Sequence, residues 1–574
     1  MSSFFKKKEI MEKTKDNLSL NSKAIGALPI INKFIKRIEL KKLLSSYLVS
    51  KENQKFSYAD AILIFVRNIL LEREPLYKLS EWVARFDPYL IGLKEQDPNI
   101  LNDDRVGRSL DALFDADRAS LLTKTVLKVI EEFSIELSQL HNDSTTVTVY
   151  GEYRSESSRH NGKTSISMLK GHNKDFRPDL KQLLFTLTVS RDGAVPIHYK
   201  SYDGNITDDS THIQTWEALR RITGRSDFIY VADAKLATRD QMDYISKEGG
   251  KFISVIPETR KECQWFRSYV CSHNVDWREL SRKPDARSLD ADEHIYWGYE
   301  CPMASEEGYR IIWILSSQKQ SLDAYRRQLK IEKTIKALDT FKSKIETRKY
   351  SKEQIENALA EIFNKYLSKR WFDAKIVIKE VETYKQKKKG RPSDSTEYLK
   401  VIKEKYTFEA IPNGLRIQED ASSDGMFPLI TNIDDKNLSM GQVLEKYKFQ
   451  PYIEKRHQQF KSVFEAAPVF LKLPHRIEAL MFVYFIVLTL NALIERELRL
   501  AMDKENIQEL PLYPEKRNCK HPTTTRVLDL FSNLRRHILF EEGREVKCFY
   551  DEISSLQEQI LDLLTVSKDN YTCS

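Results

Sequence analysis

The sequence predicts an α/β fold: a mixed sheet with flanking helices, preceded by an all-helical N-terminal domain and interrupted by a long insertion. Three observations support this prediction. Apolar residues recur at three- and four-residue spacing from residue 21 to 138, which indicates helices. β-branched residues then alternate from residue 144, and short apolar runs separated by a helical stretch follow, which indicates strands and βαβ units. Helical periodicity returns beyond residue 431.

The composition is that of a globular protein with several domains. Of the 574 residues, 41% are hydrophobic and 31% are charged, and the net charge of +8 is compatible with a polyanionic partner without identifying one. The six cysteines form no C-x-x-C pair, so we expect no disulfide scaffold and a cytoplasmic location. Cys271 and His273 are close enough in sequence for zinc, but a second paired cluster is lacking.

Two segments bear on targeting. Residues 1–20 are basic and lack the apolar stretch of a secretory signal, so we expect a disordered tail. The apolar run at 479–493 is shorter than the roughly 20 residues that a membrane span needs, and Glu478 and Glu495 bound it. We therefore predict a helix buried in a protein core and no membrane partner.

The first part of the sheet is predicted within residues 139–257. "STTVTVYGEY" (144–153) is an alternating strand, and two strands flank "RDG", where Asp192 and Gly193 supply the left-handed residues of a hairpin turn. A helix at "DDSTHIQTWEALRRI" and two buried strands, "DFIYVAD" and "KFISVIP", follow. The predicted order is therefore three strands, a helix, a strand, a helix and a strand. This is the order of elements in a ribonuclease-H-like sheet.

Three further regions complete the chain. Residues 258–425 read as a mixed α/β insertion with a charged helical stretch (317–366) and a basic loop, "KQKKKGRPSDS" (385–395). Residues 426–500 read as the second part of the core, and residues 501–574 as a C-terminal helical region.

Two aspartates are placed for chemistry by the predicted sheet. Asp143 lies at the entrance to the first predicted strand, and Asp233 ends the fourth. Ligands of open α/β sheets gather beyond the carboxyl ends of parallel strands, which favours Asp233 as a site residue. Taken singly, however, each aspartate is more typical of a turn or a helix cap.

Glu454 is the third candidate. Ser439 and Gln442 match a capping box, and Pro451 suits the first turn of a second helix, so one helix should end near residue 447 and another begin at 451. On that second helix Glu454 and Lys461 share one face, whereas apolar residues on another face can pack against a sheet. The carboxylate would then be held rigidly.

These residues carry a resemblance to a known family. Tyr447, Gln450, Glu454 and Lys461 have the spacing of a Tyr-x2-Arg-x3-Glu-x6-Lys signature, with glutamine in place of arginine. The sequence resembles bacterial insertion-sequence transposases with an Asp-Asp-Glu triad, in the branch that carries this (YREK) signature. "GHNKDFRPDLKQ", "DGNITDDSTH", "YVADAKL" and "SSDGMFPLITN" are similar to that branch in the same order, and the resemblance extends from about residue 25 to 500.

The resemblance implies a function and a set of site residues. Asp143, Asp233 and Glu454 would be the catalytic triad and the ligands of two Mg²⁺ ions, with Mn²⁺ as a possible substitute. The substrates would be double-stranded DNA, as terminal inverted repeats and target, cut and joined by a homodimer whose helical N-terminal domain binds DNA. The expected DNA-binding residues are Tyr447, Gln450, Lys461, Lys174, Arg177 and Arg391.

Other interpretations stay open. Lys174 and Arg177 equally suit a solvated hairpin loop, and Arg391 in "KKKGRP" suits either a minor-groove contact or a flexible basic loop. A non-catalytic DNA-binding protein, as an inactive or inhibitory derivative of a transposase, is the main alternative function. A membrane protein built on residues 479–493 is the weakest.

Overall fold

A computed structural model describes residues 18–50, 56–93, 101–153, 158–284, 293–466, 471–513, 515 and 517–572. The chain divides into two compact units. The first combines two segments, Met1–Ser254 and Lys446–Ser574, and the second is Val255–Glu445. Asp143, Asp233 and Glu454 therefore all belong to the first unit.

Helices dominate the N-terminal part of the first unit, as the periodicity predicts. Within the described residues they are α1 (Leu28–Arg37), α2 (Leu40–Tyr47), α3 (Tyr58–Leu71), α4 (Leu79–Ala84), α5 (Pro88–Ile91), α6 (Asp103–Asp115) and α7 (Arg118–Phe133). One element differs from an all-helical domain, because residues Leu18–Ala24 form a strand, β1, rather than the end of a tail. β1 exists through its pairing with a strand near the C-terminus, which local periodicity does not reveal.

The sheet of the first unit follows the predicted element order. β2 (Gln139–Val149), β5 (Lys181–Ser190) and β6 (Pro196–Tyr202) precede α8 (His212–Thr223), β7 (Ile229–Val231), α9 (Arg239–Lys247) and β8 (Lys251–Val255). The spatial order is β6-β5-β2-β7-β8. β2 pairs antiparallel with β5 and parallel with β7, and β7 pairs parallel with β8. A small hairpin, β3 (Arg159–His160) and β4 (Lys163–Thr164), lies between β2 and β5 in sequence.

Two details of the sheet correct the sequence prediction. β2 begins at Gln139, so Asp143 lies inside the strand and not at its entrance. The reason is that polar residues at the start of β2 are buried between two neighbouring strands, which removes the expected alternation. The left-handed residues of the β5–β6 turn are Gly193 (φ 75°) and Ala194 (φ 51°), one position later than predicted.

A long helix forms the centre of the first unit. α16 (Pro474–Lys504) contains the apolar run 479–493, and the side chains of that run are buried. The helix is long and apolar enough to span a membrane, but 94% of its most apolar window is buried inside the protein. The prediction of a core helix is therefore confirmed.

The C-terminal region is not purely helical, in contrast to the prediction for residues 501–574. Between α17 (Thr524–Leu530) and α18 (Ser555–Leu563) lie two antiparallel strands, β15 (Arg535–Glu541) and β16 (Arg544–Tyr550). Their turn uses Glu542 (φ 51°) and Gly543 (φ 77°), which tolerates the left-handed conformation. β1 completes a three-stranded sheet on β15.

The second unit is mixed α/β, as predicted. It contains α10 (Lys261–Ser272), β9 (Arg278–Pro284), β10 (Glu293–Glu300), β11 (Arg310–Ser316), α11 (Ser317–Thr347), α12 (Lys352–Tyr366), β12 (Phe372–Gln386), β13 (Tyr398–Pro412), α13 (Gly414–Ala421) and β14 (Met426–Thr431). β12 and β13 form a long antiparallel hairpin that carries the basic loop at its tip. α11, α12 and the base of this hairpin share an apolar core that includes Leu338, Phe341 and Phe408.

Candidate active site

Strand register places Asp143 beside Asp233. In the parallel pair β2–β7, His141 lies opposite Val231. Asp143 comes two residues after His141, and Asp233 comes two residues after Val231. Because side chains alternate along a strand, two residues at equivalent positions point to the same face, and neighbouring strands lie about 4.8 Å apart. The polypeptide thus brings two carboxylates together at one end of the parallel pair.

Two consecutive helices position Glu454. α14 (Met440–Tyr447) begins with the predicted capping box, in which Gln442 N donates to Ser439 Oγ (3.4 Å) and Ser439 N donates to Gln442 Oε1 (2.9 Å). α15 (Gln450–Gln458) follows, with Pro451 in its first turn, and a π-helical turn over residues 459–463 continues it. The predicted break between two helices is confirmed.

α15 is anchored to β2 on both sides of Glu454. The Gln450 amide donates to Asn142 O (3.1 Å), and its Oε1 lies 2.9 Å from His141 Nδ1. His457 Nε2 lies 3.5 Å from Asp143 Oδ2. Glu454 is four residues after Gln450 and three before His457, so all three share one helix face. The anchors direct the exposed Glu454 toward the end of the sheet that carries the aspartates.

Electrostatics link the three acids. The pKa of Asp143 is raised to about 7, and burial is the largest cause. The charge of Lys174 lowers this pKa, and the charges of Asp233 and Asp208 raise it. Burial also raises the pKa of Tyr447 to about 12, with contributions from Asp233, Glu454 and Asp143 in turn. The charges of all three carboxylates therefore act on the half-buried Tyr447 side chain.

Lys174 lies within the site and not along an outer DNA path. Its Nζ donates to Ser144 O (2.7 Å) and Ser144 Oγ (2.8 Å), and it forms an ion pair with Asp208 (2.9 Å). The predicted DNA contact through Lys174 stays a prediction, and 31% of its side chain is exposed. Lys174 instead supplies the cation that partly offsets the negative charge around Asp143.

Gln450 also differs from its predicted role. Its side chain is only 6% exposed, and both ends of its amide are satisfied by β2. The sequence prediction of a DNA contact is corrected, because the residue is an anchor of α15. Substitution of a guanidinium for this amide would bury a charge at the same place.

Of the remaining predicted DNA-binding residues, Lys461 and Arg177 line one pocket of the first unit. Lys461 forms an ion pair with Asp175 (2.7 Å), and exposed Arg177 pairs with Asp179 (2.7 Å). Arg391 is exposed in the hairpin tip of the second unit. The structure thus brings Tyr447, Gln450 and the three acids together, whereas Arg391 belongs to another unit.

Sequence reasoning missed three residues of this site. His457 is buried, and burial lowers its pKa to about 3, with Lys174 and Lys461 adding to the effect, so its ring beside Asp143 is neutral. His212 donates to or accepts from Tyr230 OH (3.0 Å), and burial lowers its pKa to about 4 against the charges of Asp233 and Asp208. Asp208 begins the stretch "DDSTHIQTWEALRRI", for which the pattern predicted only a helix. Helical spacing from Glu454 was the one available signal for His457.

Comparisons with known proteins give limited information. A family described as "Domain of unknown function (DUF4277)" matches residues 20–127. No curated protein matches the chain. Among solved structures, a piggyBac transposase synaptic complex with hairpin DNA is 10% identical, with a TM-score of 0.34, and the match covers 81% of this chain and 71% of that one. A Mos1 transposase paired-end complex with the left transposon end is 11% identical, with a TM-score of 0.14, and the match covers 35% and 60%.

Proposed function

We propose that the chain is a transposase of the Asp-Asp-Glu class with a ribonuclease-H-like catalytic core, in the YREK branch that its motifs resemble. It would bind terminal inverted repeats as double-stranded DNA and catalyse strand cleavage and strand transfer in the cytoplasm. One observation carries the proposal: the charges of Asp233, Glu454 and Asp143 all act on Tyr447, and the two aspartates each come two residues after the paired residues His141 and Val231. The strand order β6-β5-β2-β7-β8 also supports it.

The donor set fits a pair of Mg²⁺ ions, with Mn²⁺ as a substitute. Hard divalent cations prefer carboxylate oxygens, and Asp143, Asp233 and Glu454 provide them from three separate elements. Burial raises the pKa of Asp143 to about 7 although Lys174 lowers it, so a cation bound here would favour the ionised carboxylate. Two such ions, when bound, supply an activated water and stabilise the leaving oxygen of a phosphodiester.

The protein residues then have distinct tasks. Asp143 must lose its proton before it binds a cation, since its pKa of about 7 leaves it partly protonated at neutral pH. Gln450 anchors α15 to β2 and hence fixes the position of Glu454, and the neutral ring of His457 lies beside Asp143. Lys174 holds Asp208 and the Ser144 carbonyl, and this keeps the floor of the site rigid. The outcome is a preorganised set of oxygens open to a DNA backbone.

DNA recognition would involve surface residues and the helical domain. Tyr447 lies at the acids, where it can contact the scissile strand, and Lys461 becomes available to a phosphate when it leaves Asp175. Arg177 and Arg391 are exposed and offer further phosphate or groove contacts. Residues 21–138 would bind the repeat, and two copies would pair two DNA ends.

A strand-cleavage assay tests this function. Inverted repeats flanking the gene define a short duplex, which is incubated with the full chain and Mg²⁺. We expect nicking at the repeat end by the unaltered protein and its loss in Asp143→Asn, Asp233→Asn and Glu454→Gln. Asp529→Asn, at an exposed carboxylate of α17, is the matched control and should cut normally.

Two outcomes would contradict the proposal. If the triad variants cut the duplex as well as the unaltered protein does, the three acids are not the catalytic residues. Specific retardation of the duplex by the unaltered protein in a gel, without any Mg²⁺-dependent nicking, would instead favour the non-catalytic DNA-binding protein.

A further inference from the structure

A second group of potential ligands lies elsewhere in the first unit. Among the described residues, Asp111, His160 and His475 each offer one ligand atom, and these atoms all lie within 4.8 Å of one another. Asp111 belongs to α6, His160 to the β3–β4 hairpin and His475 to the first turn of α16. The group shares no residue with the acid site, and the proposed transposition chemistry does not use it.

The two imidazoles are held in an unusual arrangement for a purely structural contact. Their rings are stacked, with centroids 4.1 Å apart and planes 13° from parallel, and Phe114 packs against both. His475 Nε2 lies 2.9 Å from Asp111 Oδ1, and His160 Nε2 lies 3.6 Å from Asp115 Oδ2. Two neutral rings gain little from such stacking, and two protonated rings would repel each other.

Asp111 keeps coordination capacity although Arg476 binds it. Arg476 Nε and Nη2 donate to Oδ1 and Oδ2 of Asp111, each at 2.7 Å. An ionised carboxylate has about four acceptor positions, so the bidentate guanidinium leaves one on Oδ2, while the second position on Oδ1 faces His475 Nε2. Outer partners of this kind typically fix the orientation of a metal-binding carboxylate.

A buried oxygen without a partner points to the same place. Asp115 Oδ1 is buried and has no hydrogen-bond partner among the described atoms, although Oδ2 accepts from Asn161 Nδ2 (2.6 Å). Asp115 lies one helical turn after Asp111 on α6, on the same face. An unsatisfied buried acceptor is costly, and the other oxygen of this carboxylate, Oδ2, lies 3.6 Å from His160 Nε2.

We propose that Asp111, His160 and His475 bind a divalent transition-metal ion of the Zn²⁺ type, with Asp115 as a fourth or an outer partner. Two imidazole nitrogens and a carboxylate suit Zn²⁺, whereas Mg²⁺ and Ca²⁺ prefer oxygen ligands alone. The ion would tie the β3–β4 hairpin to α6 and to the start of α16. The site is therefore structural and separate from the Mg²⁺ site proposed for the acids.

Spectroscopic titration with Co²⁺ tests the proposal. The full-length Asp233→Asn chain, whose acid site lacks one ligand, is stripped with a chelator and titrated with Co²⁺. We expect one Co²⁺ per chain with visible d–d absorption, displaced by equimolar Zn²⁺ but not by millimolar Mg²⁺. In the same background His160→Gln and His475→Gln should weaken binding at least about 100-fold, more than the loss of an outer partner usually does. His172→Gln, at an exposed histidine, is the matched control.

Thermal stability provides a second test of the proposed zinc site. Zn²⁺ should raise the Tm of the His172→Gln control and leave that of His160→Gln unchanged, because only a folded chain with an intact site binds the ion. His160 lies on a short, partly exposed hairpin, so its variant decides the question even where His475→Gln fails to fold. Undiminished Co²⁺ absorption in His160→Gln, or no stoichiometric uptake by the parent chain, would overturn the site.

Discussion

Two carboxylates of the first unit are removed from solvent in different ways. Glu495, on α16, is 3% exposed and pairs with Arg456, whose Nη1 lies 2.7 Å from Glu495 Oε2. Burial alone would raise its pKa, but Arg456 and Arg499 bring it below the usual value. Burial raises the pKa of Asp143, whose side chain is 20% exposed, to about 7, because Lys174 offsets the burial only in part and Asp233 and Asp208 add to it.

The difference separates a carboxylate that holds the fold from one available for chemistry. Arg456 also donates to Gly193 O (2.9 Å) and Ala194 O (3.0 Å), so the ion pair joins α15, α16 and the β5–β6 turn. His457, the next residue along α15, contacts Asp143 without supplying a charge. α15 thus provides a charged partner for Glu495 and a neutral neighbour for Asp143.

The largest effect on stability is expected at the compensated acid. Arg456→Met should lower the free energy of unfolding by about 3–5 kcal/mol, because it leaves Glu495 charged and buried without its partner. Urea unfolding monitored by circular dichroism measures this loss. In the double variant Arg456→Met/Glu495→Leu most of the loss should be recovered, and a single variant as stable as the unaltered chain would end the comparison.

The pH dependence should have opposite signs at the two acids. Asp143 binds a proton more tightly in the folded state, so its contribution to the free energy of unfolding falls as pH rises from about 4 to about 7. Glu495 has a lowered pKa, so its contribution is present above its usual pKa and is lost as pH falls below it. As the pH rises from 4 to 8, the free energy of unfolding of Asp143→Asn should therefore increase by about 2–4 kcal/mol relative to that of the unaltered chain.

Unfolding curves at a series of pH values check this sign. Asp179→Asn, at an exposed carboxylate, is the matched control and should run parallel to the unaltered chain in this range. If the stability of Asp143→Asn also ran parallel to that of the unaltered chain, the pKa of Asp143 would not be raised in the folded protein.

A smaller effect is expected at the anchor beside the acids. Gln450→Ala should cost about 1–3 kcal/mol, because it leaves buried groups of His141 and Asn142 without partners. DNA cleavage should fall while affinity for the repeat in a gel-shift assay is unchanged, since the amide is buried. Gln458→Ala, at an exposed position of the same helix, is the control. A selective loss of DNA affinity would restore the DNA-contact interpretation of Gln450.

The smallest effect on folding is expected at Lys461. Its partly exposed pair with Asp175 contributes about 1 kcal/mol or less, so Lys461→Ala should fold almost normally. If Lys461 contacts a phosphate, the variant should bind DNA more weakly and its salt dependence should decrease by about one counterion. Fluorescence anisotropy at several salt concentrations measures both quantities, and an unchanged slope would remove Lys461 from the DNA path.

Local patterns predicted much of this molecule. The periodicity of α1–α7, the element order of the sheet, the buried α16 and the capping box before α14 follow from rules that act within about ten residues. The pairing of β1 with β15 was not predictable, because Leu18 and Glu541 meet only in the folded chain. The early start of β2 was also missed, since buried polar residues hide its alternation.

The candidate site divides in the same way. Asp143, Asp233 and Glu454 were accessible from motifs and predicted strand ends, and they remain predictions as catalytic residues. The inward position of Lys174 and the burial of Gln450 depend on partners elsewhere, Asp208 and Asn142, which spacing does not identify. Sequence patterns thus indicated candidate residues, whereas their environments required the folded structure.

The first unit is assembled from two separated chain segments, with residues 255–445 between them. At about 5–20 residues per second, a ribosome needs on the order of 10–40 s to add that intervening stretch. Throughout this interval a nascent polypeptide already has Asp143 and Asp233 but lacks Glu454 and α16. Prematurely terminated products that stop in this stretch therefore carry only two of the three candidate acids and lack the long buried helix of the first unit.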